Sequence, residues 1–303
     1  MTDATVLVPT HRHAALLPYA VRSALAQEGA SIELFVVGDG VEDETRAALE
    51  PFLADPRVRF FDLPKGERHG ERNRHIALAE AAGRIVCYLS DDDLLLPRHV
   101  ATMLELLEDV PFAQSAPFSM QPDDVLVYAP CDLSQQAQLE RMRHGGWNPV
   151  ALTGAAHTLA AYRRLPSGWR PAPPGLQTDY HMWLQFLDLP DFRGVTGMEL
   201  THLRFPDPVW STRPFEERVS ALASWSAAIR DPEGILRLER RARRTVYQTA
   251  AALSLEADAE SLEADGLRHA LAAVQSSRIW RLRERLLAIG PIRAVVARLP
   301  AAR

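Results

Sequence analysis

Ile85-Val86-Cys87-Tyr88-Leu89-Ser90-Asp91-Asp92-Asp93-Leu94-Leu95-Leu96-Pro97 is an apolar run, an acid cluster and an apolar restart. The run over residues 85–89 reads as a buried strand, and residues 97–108 read as the helix that follows it. Adjacent carboxylates repel one another, so three at a strand end require a counter-charge. A divalent cation supplies one: Mg2+ and Mn2+ take carboxylate oxygens and bridge to substrate phosphates. The cluster therefore points to metal-assisted chemistry on a phosphate-bearing substrate. The competing reading is a solvated acidic turn, and the neighbouring strand ends decide between them.

Upstream, β-like and helix-like patterns alternate. Residues 5–8 form a short strand stopped by Pro9, and residues 16–27 carry Leu16, Leu17, Ala20, Ala24 and Leu25 near helical spacing. A second strand over 32–37 stops at Gly38-Asp39-Gly40. A helix over 43–53 has the acidic first turn that suits the helix dipole. A third strand over 58–62 and a helix over 71–82, ended by Gly83, complete the series. Such an order predicts an α/β fold with a mostly parallel, Rossmann-like sheet flanked by helices. Ligands in these sheets bind beyond the carboxyl ends of the strands. Pro9-Thr10-His11, Gly38-Asp39-Gly40 and the acid cluster all lie at such ends, so they should share one crevice.

Downstream the pattern weakens over 110–174, with strand-like pieces at 125–129 and 152–156. Residues 178–187 read as a helix, 196–205 as an extended piece and 216–257 as largely helical. The expected organisation is a catalytic domain over 1–210, a helical C-terminal extension over 211–258 and a basic amphipathic tail over 259–303. In the tail, Arg278, Arg281, Arg283, Arg285, Arg293, Arg298 and Arg303 interleave with Trp280, Leu282 and other apolar residues. That composition suits a helix lying on an anionic membrane surface, and equally one packed on the domain or on a second subunit.

The net charge of −5 excludes general nucleic-acid binding. Cys87 and Cys131 form no CxxC pair, so neither a structural zinc nor a disulfide framework is expected, and a reducing cytosol fits. The start Met1-Thr2-Asp3-Ala4-Thr5 lacks a secretory leader pattern. No stretch reaches the about 18 apolar residues of a membrane span.

Five stretches, in order, resemble those of family 2 glycosyltransferases. Val6-Leu7-Val8-Pro9-Thr10-His11-Arg12 is similar to the family's first strand and loop. Phe35-Val36-Val37-Gly38-Asp39-Gly40, with Asp43 and Thr45, is similar to its Val-Asp-Asp-Gly-Ser motif. Gly70-Glu71-Arg72-Asn73 resembles the Ala-Arg-Asn helix start, and Tyr88-Leu89-Ser90-Asp91-Asp92-Asp93 resembles the DxD strand end. Thr178-Asp179-Tyr180 with Trp183 resembles the Glu-Asp-Trp helix. Gly38, Ser90 and Thr178 replace acids common in the family, and His11-Arg12 replaces Tyr-Asn.

The resemblance implies a GT-A fold, a nucleoside-diphosphate sugar donor, uridine above all, and a metal ion, Mn2+ or Mg2+. On it, Pro9, Thr10, His11, Arg12 and Asp39 hold the nucleoside, Arg72 and Asn73 its phosphate end, and Asp91 the ribose. Asp92 binds the metal, with His202 as a late third ligand. Asp93 is expected to cap the following turn. Asp179 is the general base that inversion requires. Trp183 reads as core, and Trp210 with Arg213 as a loop closing over the donor. The acceptor is a hydroxyl on a glycan, a lipid-linked saccharide or a natural product. The expected location is cytoplasmic or at the inner face of the membrane. A non-catalytic nucleotide-sugar or glycan binder of the same fold is the alternative; nucleotidyl transfer is disfavoured because no glycine follows the first strand in Pro9-Thr10-His11-Arg12-His13-Ala14.

Overall fold

The computed structural model describes residues 2–276. Its strands are β1 (Ala4–Thr10), β2 (Ile32–Asp39), β3 (Val58–Leu63), β4 (Ile85–Tyr88), β5 (Leu94–Leu95), β6 (Phe112–Gln114), β7 (Phe118–Met120), β8 (Leu126–Tyr128), β9 (Ala155–Thr158), β10 (Gly194–Thr196) and β11 (His202–Leu203). Its helices are α1 (Leu17–Leu25), α2 (Asp43–Leu49), α3 (Glu71–Leu78), α4 (His99–Leu106), α5 (Gln136–Gly145), α6 (Leu159–Tyr162), α7 (Thr178–Leu187), α8 (Phe215–Ala228) and α9 (Pro232–Ser276).

Seven strands form one sheet in the order β10-β6-β9-β4-β1-β2-β3. The β4-β1-β2-β3 half is parallel throughout. β9 is antiparallel to both β4 and β6, which makes the sheet mixed beyond the expected βα series. Side chains alternate along these strands, as the two-residue period requires. Val6, Val8, Leu34, Val36 and Cys87 face α1 and α4 in one apolar cluster. Leu7, Phe35, Val37, Val86 and Tyr88 face α3 and α7 in another. These near-continuous apolar runs are the signature of strands buried on both faces.

Gly83 has a different job from the expected one. α3 ends at Leu78, not at residue 82, and Gly83 lies against the start of β1. A Cβ there would run into the backbone of Ala4 and Thr5, so the glycine permits close approach of two strand ends.

A third cluster lies beneath the acid cluster. Leu16, Leu94, Leu96, Phe118, Met120, Leu203 and Phe205 pack with Trp210, Leu222, Ile229, Leu238 and Ala242. α8 and the start of α9 thus belong to the same compact unit, residues 1–246. The second unit covers 247–303, and within it the described part of α9 is solvent-exposed, Leu255 and Leu262 included. The basic stretch from Arg278 onward lies outside the described residues. Among the described residues no helix is long and apolar enough to cross a membrane.

Candidate functional site

The carboxyl ends of β1, β2 and β4 open onto one crevice of about 430 Å³. Its wall includes Pro9, Thr10, His11 and Arg12 from the loop after β1, Asp39 from β2, and Ser90, Asp91 and Asp92 after β4. The convergence expected from the strand order is therefore present, and the solvated-turn reading fails: Asp91 and Asp93 are buried.

The three acids have separate surroundings. Asp91 accepts from Thr10 Oγ1 at 2.7 Å through Oδ2, and its Oδ1 lies 2.8 Å from His13 Nδ1. That hydrogen bond raises the His13 pKa, with the charges of Asp91 and Asp92 adding to it against the cost of burial. Asp92 meets Arg218 Nη2 at 3.2 Å. Burial first, then the charges of Asp93 and Asp91, push its pKa well above the carboxylate range. Asp93 does not cap its own turn as expected. It accepts from Thr153 Oγ1 at 2.5 Å and from the Phe205 N–H at 2.7 Å, and burial raises it to about 6. Asp93 therefore fastens the acid turn to two distant segments.

His13, Asp91 and Asp92 offer ligand atoms that all lie within 4.8 Å of one another. Two carboxylates and an imidazole suit Mn2+, and the carboxylates suit Mg2+. His13 was not singled out from sequence; its only signal was its place two residues beyond His11. His202, expected as the third ligand, stands elsewhere. Its Nδ1 is 2.7 Å from Ser115 Oγ, its ring packs edge-on to His99, and it lines a separate small cavity. Burial there lowers its pKa to about 3.

Asp39 holds the other end of the crevice. It accepts from Lys65 Nζ at 2.6 Å, the Gly66 N–H at 2.6 Å and Asn73 Nδ2 at 2.8 Å. Gly70, the N-cap of α3, has φ 71°, and a Cβ on it would come within 2.5 Å of Asp39 Cγ. Gly70→Ala is accordingly expected to displace Asp39. Left-handed strain plus the clash costs the fold roughly 1–3 kcal/mol, so the denaturation midpoint of Gly70→Ala should fall below wild type.

Arg72, expected at the phosphate end, is exposed and outside the cavity wall. Arg74, further along the helix, lines the crevice instead. It is buried, with its guanidinium 4.7 Å from the Trp169 ring centroid and Nη2 donating to His69 O at 3.0 Å. Its Nε has no partner, and burial lowers its pKa against the charges of Glu71, Asp179 and Asp39. Arg12 is exposed, 3.9 Å from Glu42, and the His11 Nδ1 is buried without a partner.

Asp179 lies in the first turn of α7, where its Oδ1 accepts from the Tyr180 N–H at 2.8 Å and from Asn148 Nδ2 at 3.2 Å. It is not part of the cavity wall, though the charges of Arg74 and Arg204 reach it. Burial raises its pKa. Thr178 Oγ1 donates to Glu71 Oε1 at 2.9 Å, which ties the start of α7 to the start of α3. Trp183 is core, donating to Val150 O at 3.0 Å. Trp210 is also an anchor, not the edge of a loose lid: it is buried, packs on Phe205 and donates to Met120 O at 2.6 Å.

A mostly parallel sheet with a crevice at its strand ends and an acid cluster on one side is the arrangement of a GT-A glycosyltransferase domain. The chain belongs to glycosyl transferase family 2, whose profile matches residues 5–165. Succinoglycan biosynthesis protein ExoO of Rhizobium meliloti is 36% identical over 103 residues, 34% of this chain and 29% of that protein. A GalNAc(5)-diNAcBac-PP-undecaprenol β-1,3-glucosyltransferase of Campylobacter jejuni is 28% identical over 106 residues, 35% of this chain and 34% of that protein. The chain thus spans about a third of the length of these curated relatives. Among solved structures, TarS of S. aureus superposes with a TM-score of 0.53 at 12% identity, covering 75% of this chain and 69% of that one. Mannosyltransferase PcManGT from Pyrobaculum calidifontis, in complex with GDP-Man and Mn2+, gives 0.50 at 21% identity, covering 97% and 88%. At these identities the likenesses speak for the fold.

Proposed function

We propose that this chain is a metal-dependent, inverting glycosyltransferase that moves a sugar from a nucleoside-diphosphate donor to an acceptor hydroxyl. The observation that carries the reading is the single crevice whose wall holds Asp39, itself bonded to Asn73, together with Arg74 and the His13–Asp91–Asp92 cluster. Those groups suit, in turn, a nucleoside, a diphosphate and a metal. TarS has been solved with UDP and with UDP-GlcNAc, and PcManGT with GDP-Man and Mn2+, which supports a donor of this kind. Uridine is the base we favour. The acceptor is a glycan, lipid-linked saccharide or natural-product hydroxyl; the Campylobacter relative is named for an undecaprenol-linked substrate. A cytoplasmic site of action, at the inner face of the membrane for a lipid-linked acceptor, follows from that chemistry.

His13, Asp91 and Asp92 would hold the ion, which supplies charge neutralisation for the leaving nucleoside diphosphate. Asp39 accepts from the nucleoside, exchanging part of its present hydrogen-bond set for it. Arg74 places a flat, desolvated guanidinium on the anionic part of the donor. Asp179 takes the acceptor's hydroxyl proton as that oxygen attacks the anomeric carbon; one carboxylate suffices for inversion, with no covalent intermediate.

The test is a panel of UDP- and GDP-sugars scored for Mn2+-dependent binding and hydrolysis. One donor bound tightly only with metal supports the reading, and no metal-dependent binding of any sinks it. Within that panel, Arg74→Gln is expected to weaken nucleoside diphosphate binding about tenfold or more, since it removes a buried charge-assisted contact. Arg74→Lys should not restore it, because an ammonium cannot stack flat on Trp169.

A further inference from the structure

Arg218 lies in the first turn of α8, outside the family match, and reaches across 126 positions of sequence to Asp92. Helix dipoles disfavour a cation at that end, so the position serves something other than helix stability. The pair is sheltered: the side chains are 12% and 16% exposed, among Leu16, Phe205, Trp210 and Leu222. A guanidinium so placed cannot give up its carboxylate without cost unless another anion replaces it. Asp92 belongs to the cluster suited to a divalent ion. A divalent ion held by that cluster would take up substrate phosphate oxygens as well as carboxylate oxygens. Arg218, 3.2 Å from Asp92, is the guanidinium next to any such phosphate.

We propose that Arg218 is an exchangeable counter-cation of the acid cluster: it holds Asp92 in the metal-free protein, yields it to the divalent ion, and then pairs with the donor's diphosphate. The inference rests on the metal-dependent reading above. It gives Arg218 two effects of opposite sign. Before donor arrives the arginine competes with the ion for Asp92, and after donor arrives it helps hold the leaving group.

The experiment uses the full chain and two probes that need no knowledge of base or sugar. Mn2+ binding is measured without nucleotide by the electron paramagnetic resonance of the free ion. Inorganic pyrophosphate binding is measured by calorimetry at saturating Mn2+. Arg218→Gln is expected to bind Mn2+ roughly fivefold or more tighter and pyrophosphate roughly tenfold weaker. Arg218→Lys should fall between it and wild type on both axes, and carries the test if the glutamine variant does not fold. A merely structural tether would weaken both or move neither. Unchanged or weaker Mn2+ binding in the variants overturns the proposal, as does unchanged pyrophosphate binding. If wild type itself binds no Mn2+, the metal-dependent reading falls with it.

Discussion

Asp179→Asn is expected to lower sugar transfer by about 10²- to 10⁴-fold, the usual worth of a general base, while nucleotide and Mn2+ binding stay within about twofold of wild type. Asparagine keeps the acceptor oxygen that meets the Tyr180 N–H and Asn148, so α7 should start as before. What it loses is basicity. Burial, the largest influence on Asp179, raises its pKa above the ordinary aspartate value and makes its carboxylate a stronger base. The pH dependence has a definite sign. The ionised form is the active one, so the rate falls as pH drops through the raised pKa, and the acidic limb sits above that of an ordinary aspartate. Residual turnover of Asp179→Asn should lack that limb. Transfer within a few-fold of wild type would move the base to another residue.

The parallel half of the sheet was legible because its code is local. Alternation along Val6-Leu7-Val8 and Leu34-Phe35-Val36-Val37 says that both faces are covered, and the strand ends then follow from the chain order. Asp39, Asp91 and Asp92 could be placed from that alone. Arg74 could not. Residues 72 and 74 differ by about 200° around a helix, and which of them faces the crevice depends on how Gly70 launches α3. His13 depends on the loop after β1 folding back over β4, a meeting of residues 78 positions apart. His202 was misplaced for a related reason. β11 pairs antiparallel with β5, and that pairing sets its ring against Ser115 and His99 instead of the acid cluster. Trp210 was expected, with Arg213, on a loop closing over the donor. Its burial comes from α8, which no local pattern places beside it.

Asp92→Asn is the second change with a large expected effect, and it separates metal binding from folding. Removing one of two carboxylates from the His13–Asp91–Asp92 set should weaken Mn2+ by about 100-fold or more, beyond the 10- to 100-fold typical of outer-shell changes. Transfer should fall in step at fixed Mn2+. The metal-free protein behaves in the opposite way. Burial and the charges of Asp93 and Asp91 outweigh the attraction of His13 and Arg218, so the ionised Asp92 is disfavoured in the fold. A carboxyl whose folded pKa is raised loses stability for the protein as pH rises through the gap between its unfolded and folded values. A neutral isostere removes that loss but leaves Arg218 without its carboxylate, so the two effects oppose each other and the metal-free Tm of Asp92→Asn should stay within a few degrees of wild type. Mn2+ should then raise the Tm of wild type, because it binds the native state alone, and leave the variant unmoved. A metal-free Tm several degrees below wild type would mean that the Arg218 contact outweighs the crowding of the three acids. An undiminished Mn2+ response in the variant would take Asp92 out of the metal site.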